Sequence, residues 1–324
     1  MTRWTIAAAM GAALLLAGAA HAQTKWDLPA AYPAQNYHSK NLEEFANDVR
    51  AATGGKLDIK VHANASLFKA PEIKRAVQTG QAQIGELLMS LVDNEDPAFG
   101  VDSVPFLATS FDDSVKLWKA QRPHVEKRLA AQGMTLLYAV PWPPQGIFAK
   151  KDLNGVADMK GLKFRAYNVY TTRIAEIVEA SPVTIQAAEL AQALATGTVN
   201  SFISSGSTGF DTKVWESLSH YYDTQAWLPK NMIFVNNAAL AKLDEPTRKA
   251  LFDAAAKAET RGLAMAREAT AFYFKALGEK GMKVQPPNAN FAGELKKIGE
   301  TLTQDWLKRA GGDGQAMLDA YKKM

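Results

Sequence analysis

From Asp244 to Gly281 the chain reads DEPTRKALFDAAAKAETRGLAMAREATAFYFKALGEKG. Pro246 stands at its start, Gly278 and Gly281 close it, and Gly262 is the one glycine inside. The remainder is rich in Ala, Leu, Glu, Lys and Arg, the best helix formers. A helix of some 30 residues spans roughly 45 Å at 1.5 Å per residue, more than the width of one small lobe. Gly262 costs only about 1 kcal/mol relative to alanine, so a single helix, bent at most, is expected rather than two. A rod of that length needs two bodies to cover it.

The rest of the chain supplies them. Strand-like runs at Lys56–His62, Gln83–Leu88, Thr135–Val140, Lys163–Tyr167, Pro182–Ile185 and Val199–Ser205 are interleaved with helical patterns at Ala70–Gln81, Thr171–Ala180 and Glu189–Gly197. The alternation predicts parallel, doubly wound sheets. It falls into two blocks, one before about Gln145 and one after, and so into two α/β lobes. Two further helices are expected in the tail, in ELKKIGETLTQDWLKRAGG and GQAMLDAYKKM.

The chain opens MTRWTIAAAMGAALLLAGAAHAQ. Arg3 followed by an apolar run and Ala20-His21-Ala22 has the form of a secretory signal, with cleavage expected near Ala22. The run falls short of the roughly 20 apolar residues that a span needs, and no other stretch is apolar enough. The expected product, residues 23–324, is exported and not itself membrane-spanning. It has no cysteine, which rules out thiol catalysis, zinc–thiolate sites and iron–sulfur clusters. The formal charge of +4 is scattered rather than gathered into basic runs, so no nucleic-acid partner is implied.

Local enzyme motifs are missing: there is no G-x-S-x-G, Walker loop, G-x-G-x-x-G or H-E-x-x-H. SGSTG, Ser205–Gly209, lacks the lysine of a phosphate loop, and DNEDP, Asp93–Pro97, lacks the spacing of an EF-hand. No catalytic residue, metal site or cofactor is therefore expected. The unusual residue is Arg165, a permanent cation at the exit of the strand in DMKGLKFRAYN. Strand ends in open α/β sheets carry ligand sites, and a guanidinium fork matches a carboxylate bidentately. The alternative is an internal salt bridge to a carboxylate such as Asp158 or Glu176.

Four stretches together resemble the solute-binding proteins of TRAP (tripartite ATP-independent periplasmic) transporters, the DctP-type family. They are FANDVRAATGGKLDIKVHANASLFKAPEIKRAVQTGQAQIGELL, SVPFLATSFDD, DMKGLKFRAYN and ELAQALATGTVNSFISS. The third is similar to the family's D-L-K-G-L-K-x-R signature, with Met159 in place of leucine. The resemblance implies a two-lobe α/β periplasmic binding protein fold with a long helix spanning both lobes. It implies discontinuous lobes: residues 23–145 with about 228–260, and 146–227 with about 261–324, sharing the helix of about 244–280. It implies that Arg165 holds the carboxylate of a small-molecule ligand, that the partners are TRAP membrane permease subunits, and that the protein works in the periplasm.

The departures shape the expected ligand. A second arginine found in some family members falls near Gln145, which can donate an amide hydrogen bond but carries no charge. A commonly substrate-facing asparagine becomes Ser204, and Trp227 stands in the aromatic region of QAWLPKN. These changes point to a monocarboxylate with an apolar or aromatic body. The alternatives are a C4-dicarboxylate or sugar acid, with Lys69 or His38 meeting its second polar end, or an exported serine hydrolase acting near Ser204. Tyr32, His38, Trp142, Tyr167, Asn168 and Ser205 are further candidates for the binding site. Leu88, Met89 and Ser90 form either its apolar wall or core.

Overall fold

The structure is a computed structural model, and it describes residues 23–324. The expected signal segment lies outside the described residues. Elements alternate along the first stretch: β1 (Thr24–Pro29), α1 (Tyr37–Ala52), β2 (Leu57–His62), α2 (Ala70–Gln78), β3 (Ile84–Leu88), α3 (Phe111–Ala131) and β4 (Met134–Pro141). The chain then enters a second set: β5 (Gln145–Ala149), β6 (Lys163–Ala166), α4 (Val169–Ile177), β7 (Ser181–Thr184), α5 (Leu190–Ala195), β8 (Ser201–Ser205), α6 (Gly206–Asp211) and β9 (His220–Tyr222). It returns through β10 (Lys230–Asn236) and α7 (Asn237–Ala241), and ends with α8 (Glu245–Glu279), β11 (Lys283–Gln285) and α9 (Ala289–Lys322).

Two lobes result. One is built on the parallel pair β1–β2 and the sheet β3-β10-β4, the other on the sheet β11-β9-β5-β8-β6-β7. Only β1–β2 is purely parallel; the three-stranded sheet pairs antiparallel throughout and the six-stranded sheet is mixed, which corrects the expectation of parallel sheets. β10 runs antiparallel to both its neighbours, and β5 runs antiparallel to β8 and β9. The cause is the double crossing. A strand that has just come over from the other lobe enters its sheet from the opposite end.

α8 is unbroken through its 35 residues, about 52 Å. Asp244 caps it, its side chain accepting from the backbone N–H of Thr247, and Pro246 occupies the first turn. It packs on α1 and β4 in one lobe and on α6 and β11 in the other. Gly262 is not a break. A Cβ there would stand 2.5 Å from Val140 Cγ2 and 2.9 Å from Asn41 Nδ2, so glycine lets the helix lie close on β4 and α1. α9 also touches both lobes. Val156 N–H donates to Glu294 near its start, and Trp306 Nε1 donates to the Pro97 carbonyl in its second half. Its two expected halves meet at a kink, Gly311 (φ 58°).

Candidate functional site

The C-terminal ends of β6 and β8, and the chain leaving β7, converge on a cavity between the lobes. Its empty volume is about 450 Å³, the solvent at its mouth included. The second lobe lines it with Arg165, Tyr167, Gln145, Gln186, Ser204 and Thr208. The first lobe contributes Tyr32, Trp142, Leu88, Leu91 and Pro229. One wall is therefore mostly polar with a single cation, and the other is mostly apolar and aromatic. Such a pair of walls suits a small molecule with a charged end and an apolar body.

Arg165 is 3% exposed. β6 lies between β8 and β7, and Arg165 pairs in register with Phe202 and Val183. Its Nε donates to the Ile185 carbonyl at 2.8 Å, and its guanidinium lies over the Tyr167 ring, 4.7 Å from the centroid. Among the described residues no carboxylate lies within ion-pair distance, and Nη1 and Nη2 make no hydrogen bond. The alternative internal salt bridge does not form. Asp158 accepts from the backbone N–H of Asn154, and Glu176 pairs with Arg173. Burial lowers the guanidinium from 12.5 to about 10, so it stays charged at neutral pH while bearing a desolvation penalty on the order of 3 kcal/mol. An anion at the cavity relieves that penalty.

Gln145 lines the cavity, but its amide is largely committed. Nε2 donates to the Pro143 carbonyl at 2.9 Å, and Oε1 accepts from Tyr167 Oη at 3.2 Å. It holds the tyrosine on which Arg165 rests. On the opposite wall the Tyr32 and Trp142 rings meet edge to face at 4.6 Å. Trp142 Nε1 donates to Asn231 Oδ1 at 2.9 Å. Burial raises the Tyr32 and Tyr167 hydroxyls well above their ordinary range, so both are neutral.

Of the eleven residues singled out in the sequence, Arg165, Gln145, Ser204, Tyr32, Trp142 and Tyr167 meet at the cavity. The other five stand behind it. Ser205 caps α6, accepting from the Thr208 N–H, and Asn168 caps α4 while its Nδ2 donates to Ser90 Oγ of the other lobe at 2.9 Å. His38 stacks behind Trp142, ring centroids 4.2 Å apart. Met89 and Trp227 are fully buried in core clusters. Lys69 lines a separate, neighbouring pocket with Glu72, Gln186 and Glu189, not the cavity of Arg165. Gln186, Thr208, Leu91 and Pro229 were not singled out from the sequence. Gln186 was within reach of the strand-end rule, since it stands two residues beyond the end of β7.

Comparison with known proteins gives a consistent result. The family model described as bacterial extracellular solute-binding protein, family 7 (DctP), matches residues 30–309. A solved structure of DctP6, a Bordetella pertussis extracytoplasmic solute receptor binding pyroglutamic acid, is 56% identical with a TM-score of 0.92, over 93% of this chain and 100% of that one. DctP7 of the same organism, also binding pyroglutamic acid, is 47% identical with a TM-score of 0.91, over 92% and 99% of the two chains. A TRAP solute-binding protein from a marine metagenome, specific for pyroglutamate, is 50% identical with a TM-score of 0.92, over 93% and 99%.

Proposed function

Because the chain belongs to the DctP family of bacterial extracellular solute-binding proteins, and is a TRAP solute receptor rather than an enzyme, we propose that it captures pyroglutamate and hands it to a TRAP membrane permease. The observation that carries this reading is the buried, anion-less Arg165 in a cavity of otherwise neutral side chains. The ligand's one carboxylate takes the two terminal nitrogens of the guanidinium. Its lactam ring lies against Tyr32 and Trp142. The neutral polar groups around Arg165, among them Ser204, Gln186 and Thr208, are available to the lactam N–H and carbonyl. All three pyroglutamate-binding relatives are about half identical to this chain or more, which supports the same ligand.

Chain order supports capture by closure. The lobes are joined by the crossings between β4 and β5 and between β9 and β10, with α8 and α9 across both. Ligand bridging the two walls favours the closed arrangement by its extra contacts there. A thermal-shift panel of L-pyroglutamate, L-proline, succinate and glucuronate tests the assignment. Pyroglutamate should raise Tm most, since a ligand at a hundred times its Kd adds about 2.7 kcal/mol to the folded state. A larger shift with succinate or glucuronate, and none with pyroglutamate, overturns it. The dicarboxylate reading is disfavoured because, among the described lining residues, a second carboxylate has no cation to meet.

A further inference from the structure

Beneath the aromatic wall lies a buried polar cluster that ligand contact does not explain. Glu86, in the middle of β3, is 1% exposed, and so is His38. Glu86 Oε1 accepts from Asn231 Nδ2 at 2.9 Å, and Asn231 Oδ1 in turn holds Trp142 Nε1. His38 Nδ1 stands 3.6 Å from Glu86 Oε1, too far for a hydrogen bond. Glu86 Oε2 and His38 Nε2 have no partner at all. The groups facing the carboxyl from the surrounding elements are uncharged at neutral pH: Tyr37 and His38 of α1, Tyr32 ahead of α1, Tyr138 of β4 and Asn231 of β10. Arg261 and Glu259 of α8 lie beyond Tyr138 and act on it with opposite signs. Among the described residues no lysine or arginine pairs with Glu86.

We propose that Glu86 is a proton-binding positioning residue: it holds Trp142 through Asn231, and it takes up a proton when an anion binds at Arg165. The proposal rests on the ligand reading above. A carboxylate is costly in a dry site without a cation, while the neutral acid is far cheaper to bury. Burial accordingly pushes Glu86 up to about 7, against the smaller opposing effect of the Asn231 hydrogen bond. Burial also holds the His38 imidazole well below its ordinary range, so the proton belongs to Glu86. The hydrogen-bonded chain Glu86–Asn231–Trp142, with His38 packed against the same indole, runs from the carboxyl to a side chain that lines the cavity. A ligand carboxylate on Arg165 adds a second negative charge there and cancels the cation, so ionised Glu86 becomes still less favourable. By linkage, the protonated form binds the anion more tightly.

The test is calorimetry with L-pyroglutamate near pH 7, in phosphate and in Tris, whose ionisation heats differ. The wild type should take up as much as about half a proton per ligand, and its Kd should rise about five- to tenfold between about pH 6 and 8.5. Glu86→Gln, which keeps an acceptor for Asn231, should bind with no Glu86-linked uptake and a flatter pH profile. Binding with no proton uptake in the wild type, or uptake unchanged in Glu86→Gln, overturns the coupling and leaves the ligand reading standing. No heat at any pH overturns both. Should the variant fail to fold, carbon-13 glutamate labelling of the wild type decides. A buried carboxyl resonance titrating near 7, and moving upward with ligand, supports the proposal; carboxyls that all titrate in the ordinary range overturn it.

Discussion

At the scale of the residue, the site is an arginine kept short of partners. Nε is anchored on the Ile185 carbonyl and the face rests on Tyr167, so the fork is fixed before any ligand arrives. Tyr167 is fixed in turn by Gln145. Tyr167→Phe keeps the ring and removes that hydrogen bond; titration calorimetry should show a loss of about 0.5–1.5 kcal/mol in ligand affinity. A loss above that range would mean that Tyr167 Oη itself meets the ligand. The arginine is not the source of pH dependence near neutrality. Its folded-state value is lowered to about 10 by burial, so its charge is complete below about pH 9 and fades only as pH rises through that value. Arg165 was legible in the sequence because a permanent cation is an unusual choice for the polar position at a strand exit, and because it falls in the family's signature. Gln145 was legible as a position but not in its role, because an amide's hydrogen-bond partners depend on a crossing loop that sequence does not place. The cluster under Trp142 was illegible as a whole: Glu86 lies in β3, His38 in α1 and Asn231 in β10, and only the folded sheets bring them together.

At the scale of the element, the two glycines of α8 have opposite meanings. Gly262→Ala should destabilise by about 1–3 kcal/mol in urea unfolding, because its Cβ meets Val140 at 2.5 Å and that crowding exceeds the helix-propensity gain. Gly278 has open space around it, so Gly278→Ala should stabilise by about 1 kcal/mol. Equal effects at the two sites would contradict the close packing inferred for α8. Elements whose signal is local were readable: α8 and α2 by proline, closing glycine and period, β3 by an apolar run and β6 by polar–apolar alternation. α3 was not read, since Pro123 sits inside it and argues against a continuous helix. Strand direction was misread for a different reason. A βα alternation cannot tell a strand that follows its neighbour from one that crosses back from the other lobe, and β5 and β10 do the latter.

At the scale of the whole molecule, the lobes meet through ligand-sized space and a few direct polar bridges. Asn168 reaches Ser90, Tyr170 Oη donates to Asp93 at 2.9 Å, and Asn36 Nδ2 donates to Asp211 at 2.6 Å and to Ser207 at 3.2 Å. Burial raises Asp211 from 3.8 to about 6, outweighing the Asn36 hydrogen bond and the Lys40 charge. Because the folded state favours the protonated acid, the stability linked to Asp211 is fully present below about pH 4 and is lost as pH rises through about 6. Asp211→Asn should therefore be more stable than wild type by about 1–2 kcal/mol near pH 7.5, with the advantage gone below about pH 4, as read by urea unfolding. A variant less stable at both pH values would contradict this. The central claim, that a desolvated cation waits between the lobes for one carboxylate, meets its most direct test in calorimetry of Arg165→Ala and Arg165→Lys with L-pyroglutamate. Affinity should fall by about 2–5 kcal/mol in the alanine variant and measurably in the lysine variant, which lacks the fork, while the unliganded alanine variant is no less stable than wild type. Near-unchanged affinity in Arg165→Ala would contradict the account.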